Sequence, residues 1–105
     1  MERISLFQLN TFIKRALALN FSNPVWVTAE IAQVSYSRGH IYLEMVEKSP
    51  DTQAVIAKAR GNIWKSTASL LEQKLGPLFK ELLQEGTEIL FSAKVTFHEL
   101  YGSSL

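Results

Sequence analysis

The order of its patterns predicts that this chain is mainly β with helices, an OB-fold β-barrel threaded β-β-β-α-β behind an N-terminal helix. Three observations predict it. Apolar residues alternate with a period of two over three successive segments, shift to helical spacing, then alternate again. Gly, Pro and short polar clusters fall between those segments. The 105 residues suffice for one domain, and 47% hydrophobic with 20% charged residues is the composition of a folded one. On this reading residues 1–22 form a helix packed on the barrel and 23–105 form the barrel, with its fifth strand truncated.

The first segment sets Leu6, Leu9, Phe12, Ile13, Ala16 and Leu17 on one helical face. Ser5 is its expected N-cap, and Gln8 completes a capping box. Lys14 and Arg15 are expected toward its C-terminal end, where the helix dipole favours cations. Asn20 to Pro24 ends the pattern, since the residue before a proline avoids helical geometry. Val25, Val27, Ala29 and Ile31 then alternate with Trp26, Thr28, Glu30 and Ala32, a half-buried strand. Ser35 to Gly39 reads as a loop, with Gly39 free to take positive φ.

A second strand runs from His40 to Glu47, with Ile41, Leu43 and Met45 facing one way and His40, Tyr42 and Glu44 the other. Lys48 to Asp51 is a turn. A third strand spans Gln53 to Arg60, where Val55, Ala57 and Ala59 compete with Ala54 and Ile56 for the core. Residues 66–85 carry a helical stripe of Leu70, Leu71, Leu75, Leu78, Phe79, Leu82 and Leu83. Gly76-Pro77 interrupts it, giving two short helices or a sharp kink, because Gly suits a helix end and Pro a first turn. Gly86 is the expected cap, and Thr87 to His98 the fourth strand. Glu99 to Leu105 reads as a loop leading onward.

Composition narrows the chemistry. There are no cysteines, so disulfides, thiolate metal sites and cysteine nucleophiles are excluded. The net charge is only +1, but from Thr52 to Lys65 the sole charges are Lys58, Arg60 and Lys65. Cations that follow phosphates and rings on which bases stack are what single-strand binding requires. Arg38 adds a cation between the first two strands, and Tyr36, Tyr42, Trp64 and Tyr101 add rings. OB domains bind along strands two and three between two loops. The candidate nucleic-acid contacts are therefore Tyr36, Arg38, His40, Tyr42, Lys58, Arg60, Trp64, Lys65 and Tyr101. Trp26 and Trp64 fit packing better than stacking, and His40 fits a turn-fixing role equally well. His40 and His98 have no metal-ligand spacing, and Glu30 and Glu44 suit the surface. No catalytic residues, metal site or cofactor are expected.

Val25-Trp26-Val27-Thr28-Ala29-Glu30-Ile31 is followed by Ser37-Arg38-Gly39-His40-Ile41-Tyr42-Leu43, then Ala54-Val55-Ile56-Ala57-Lys58-Ala59, Ile63-Trp64 and Tyr101-Gly102. In that order and spacing, behind the Ile4-Ser5-Leu6 helix, they resemble the N-terminal OB-fold domain of the exodeoxyribonuclease VII large subunit. Ala29 stands where that family often has Gly, and the turn at Lys48–Thr52 and the helical segment 66–85 are longer than in many members.

The resemblance implies a single-stranded DNA-binding module of a nuclease that degrades single-stranded DNA to short oligonucleotides. It places the hydrolase centre and the small-subunit contacts in a downstream part. The alternative is a protein-interaction or assembly domain of that nuclease. A cytoplasmic location is expected, since the start lacks a signal-peptide apolar region and no run is long enough to span a membrane. An open sheet edge along strand three is expected to favour self-association.

Overall fold

The computed structural model describes residues 2–98 and 102–105. Helix α1 spans Leu6–Asn20, and its capping box forms as expected: Gln8 N–H donates to Ser5 Oγ, and Ser5 N–H to Gln8 Oε1. The helix continues past Leu17, so Lys14 and Arg15 lie in its middle rather than its last turn. It lies against the strand Thr96–His98, and none of its residues is buried.

Four strands make one antiparallel sheet: β1 (Val25–Ser37), β2 (His40–Lys48), β3 (Val55–Ile63) and β4 (Glu88–Ala93), in the order β3-β2-β1-β4. Between β3 and β4 come α2 (Lys65–Leu75) and α3 (Pro77–Leu82), split at Gly76-Pro77 as the sequence predicts. The fold class is thus the expected one, mainly β with an N-terminal helix.

The core fills the space between the inner face of β1–β2 and the two helices. Ile31, Ile41, Leu43, Met45, Ala68, Phe79 and Leu83 are buried there. Leu70 and Leu78, expected in the apolar stripe, are exposed. The helix turns Ala68, Leu71 and Leu75 inward, and a residue one position from Leu71 points about 100° away. Gly86, at φ +87°, donates to Ile31 O, and Ile31 donates back to Thr87 O. Those bonds lock the end of the helical segment to β1 and start β4.

Three boundaries differ from the sequence reading. β1 runs on through Ser35 and Tyr36, so the expected five-residue loop shrinks to a turn at Arg38-Gly39. A bulge at Ala32 shifts the alternation, so that Val34 rather than Gln33 continues the inner face behind Ile31. The expected long fourth strand stops at Ala93. Thr96–His98 (β5) pairs instead with Gly102–Ser104 (β6) as a separate hairpin. Leu105 then N–H bonds to Arg60 O and accepts from Asn62 N, so the β3 edge is occupied at Gly61 rather than open throughout. Val55 and Ile56, farther along that edge, remain exposed.

Candidate nucleic-acid interface

The ladder between β2 and β3 decides the parity that the sequence left open. Met45 faces Ala59 and Leu43 faces Gly61 on the core side. Val46 faces Lys58, Glu44 faces Arg60 and Tyr42 faces Asn62 on the outer side. Directly opposed residues share a face. Tyr42, Lys58 and Arg60 therefore stand on one outer surface, about two residues apart along the strand.

At one end of that surface the turn and the helix start converge. Arg38 (φ +54°) and Gly39 (φ +84°) join Ser37 to its partner His40 across two residues. Positive φ at both central positions is the type I′ hairpin pattern, which matches the twist of the flanking strands. A Cβ on Gly39 would come within 2.9 Å of the Lys65 side chain, so Lys65 lies across the turn.

His40 holds the junction together. The first N–H groups of a helix lack intrahelical partners, and Trp64, the N-cap of α2, offers no side-chain bond. The Lys65 N–H instead donates to His40 Nδ1 at 2.9 Å. With Nδ1 accepting, the neutral ring carries its proton on Nε2. The bond ties the start of α2 to β2, a different role from fixing the β1–β2 turn itself.

Three rings gather here. His40 and Trp64 meet edge-on with centroids 5.3 Å apart, Tyr42 and Trp64 at 6.4 Å, and His40 and Tyr42 at 6.5 Å. Edge-to-face contact is a favoured geometry for aromatic pairs. Trp64 is 54% exposed and Tyr42 is exposed as well, so ring faces remain open to solvent.

The structure thus joins His40, Tyr42, Trp64 and Lys65 in one cluster, with Arg38 on the adjoining turn, and the same outer face continues along β3 through Arg60 and Lys58. Tyr36 pairs with Ile41, on the opposite parity to Tyr42, and is exposed beyond the end of the core. Tyr101 lies outside the described residues. Asn62, partly buried beside Tyr42, belongs to the surface and lies two residues beyond Arg60, the end of strand three in the sequence pattern. Continuing the alternation two residues would have found it. Glu44 places a carboxylate among these cations, opposite Arg60. Glu30 pairs with Lys48 at 3.0 Å, a surface ion pair.

The packing role favoured for the two tryptophans does not hold. Trp64 is open, and Trp26 is 73% exposed on the outer face of β1, because α1 lies against β5 and leaves that face uncovered. Among the described residues no group of three or more His, Asp or Glu is placed to hold a metal ion, and no helix is long and apolar enough to cross a membrane.

A family model described as an OB-fold nucleic acid binding domain matches residues 4–105. The chain belongs to that family. It is also 30% identical over 105 residues to the Exodeoxyribonuclease 7 large subunit of Deinococcus radiodurans. That match takes in 96% of this chain and 25% of the relative, so the chain spans about a quarter of the relative's length.

Proposed function

We propose that this OB domain is a single-stranded DNA-holding module of an exodeoxyribonuclease VII-type large subunit. The observation that carries the reading is the convergence of three rings and two cations at the turn of β1–β2, continued by two more cations along β3. Bases would stack at Tyr42 and Trp64, while Arg38, Lys65, Arg60 and Lys58 follow the phosphates. Stacking accepts any base, which suits a nuclease that must process arbitrary sequence. The module supplies grip; hydrolysis and small-subunit binding belong to the three quarters of such a protein that this chain does not span.

Titration of a labelled single-stranded oligonucleotide at two salt concentrations tests the reading. Affinity should fall as salt rises, because each phosphate contact releases counterions. Absence of binding at low salt refutes it for this chain. A second reading, an assembly domain that contacts protein, is favoured by one separate observation: Leu6, Phe7, Phe12 and Leu19 of α1 and the Trp26 side chain are exposed.

A further inference from the structure

The three rings at the junction of β2 and α2 are far from parallel. The planes of Tyr42 and Trp64 stand 90° apart, those of His40 and Trp64 85°, and those of His40 and Tyr42 72°. They meet like the walls of a corner. Tyr42 is 38% and Trp64 54% exposed, whereas His40 is half-buried. The two open walls are therefore Tyr42 and Trp64, with centroids 6.4 Å apart.

The corner is fastened from both sides. Tyr42 pairs with Asn62 and Ile41 with Ile63, so the β2–β3 ladder fixes the backbone up to the residue before Trp64. Trp64 is the N-cap of α2, and the bond from Lys65 N–H to His40 Nδ1 ties the residue after it to β2. Turning the Trp64 ring parallel to Tyr42 would give up its edge-on contacts with both partners.

The bases of a stacked strand lie parallel, about 3.4 Å apart. A base flat on Tyr42 is perpendicular to a base flat on Trp64. Two neighbouring bases that occupy both rings must therefore come off each other. Resting on the single-strand reading above, we infer that the Tyr42–Trp64 corner takes two neighbouring bases on perpendicular platforms and so selects strands that unstack readily, pyrimidine runs over purine runs.

The gain on the rings is much the same for any base, since every base has a π-face. What differs is the stack the strand gives up. Runs of adenine are stiff and well stacked, and runs of thymine stack weakly. The preference is a ranking and excludes no sequence. A duplex is kept out of the corner, because pairing holds all its bases parallel.

Titration of the 105-residue chain with labelled all-thymidine and all-deoxyadenosine strands of equal length tests the inference. Both carry the same phosphates, so at one salt concentration the ratio of affinities reads the bases. The thymidine strand should bind about three- to tenfold more tightly. Tyr42→Ala and Trp64→Ala should each bring the ratio close to one, because a base on a single platform can keep its neighbour stacked on its other face. Circular dichroism should be unchanged, since both side chains are exposed. Tyr42→Phe, which keeps the ring, should keep the ratio. Tyr42→Leu and Trp64→Leu, which keep apolar bulk without a flat face, give the same readout where an alanine variant unfolds. Equal affinity of the wild type for the two strands overturns the inference and leaves the single-strand reading standing. So does a ratio that survives the loss of either ring, which is a preference for flexible strands unrelated to the corner. Binding of neither strand at low salt overturns the single-strand reading and the inference with it.

Discussion

Replacing Arg38 by Asn should make the domain more stable and a poorer DNA binder. Arg38 sits at φ +54° in a two-residue hairpin turn. For an L-residue with a Cβ, left-handed geometry costs about 1–2 kcal/mol, and Asn is among the few non-glycine residues that visit it routinely. The neighbouring Gly39, at φ +84°, already suits its place. The variant turn would be Asn-Gly, the preferred pair for type I′. The expected gain is about 0.5–1 kcal/mol, a rise in melting temperature of a few degrees for a domain of this size.

Arginine nevertheless stands at the tip of the turn, next to Gly39, against which the Lys65 side chain lies. Backbone strain of this kind persists at functional positions. Losing its guanidinium should weaken oligonucleotide binding severalfold and lower the magnitude of the salt slope by about one contact's worth. Thermal unfolding followed by circular dichroism, with titration at three salt concentrations, reads both effects. A loss of stability would show that Arg38 serves the fold. A gain in stability with unaltered affinity and slope would show that the turn does not touch DNA.

Tyr42→Ala should lower binding by about 1–3 kcal/mol, the usual worth of one stacking platform, while Tyr42→Phe stays nearly neutral; equal damage from both, measured by fluorescence titration, would contradict stacking. His40→Ala removes the acceptor for the Lys65 N–H and should cost about 1 kcal/mol of stability, with changed Trp64 fluorescence as its local signature. His40→Asn, whose side-chain oxygen can accept, should recover part of the loss in denaturant unfolding. Gln53, at φ +61° in the β2–β3 connection, is a second strained position far from the rings. Gln53→Gly should be neutral to mildly stabilising in the same assay and leave DNA affinity unchanged.

Most of the architecture is legible in the sequence because local chemistry and burial agree. The Ser5–Gln8 capping box, the Gly76-Pro77 break and the Ile41, Leu43, Met45 face are each written in neighbouring residues and recur in the structure. What local pattern hides is non-local. The bulge at Ala32 follows from fitting β1 to two partners at once, β4 along Val25–Glu30 and β2 along Glu30–Ser37. The apolar stripe of α1 has the right period for a core helix, yet period cannot say which surface covers it.

The site divides the same way. The outward parity of Tyr42 is visible in the alternation, whereas that of Lys58 and Arg60 is open between two competing apolar sets and is decided by the β2–β3 ladder. The junction of His40 with the start of α2 joins residues 25 apart and depends on the strand–helix docking. The exposure of Trp64 depends on the same docking.

The salt dependence of oligonucleotide binding, measured on the wild-type chain and on the Lys58→Glu, Arg60→Glu double variant, tests the central claim most directly. If Arg38, Lys58, Arg60 and Lys65 each meet a phosphate, the logarithm of affinity should fall against the logarithm of salt with a slope of about −3. The double variant, folded by circular dichroism, should bind at least about tenfold more weakly at low salt, because reversal both removes attraction and adds repulsion. A slope near zero, or a double variant that binds as tightly as the wild type, would place DNA elsewhere than on this face of the sheet.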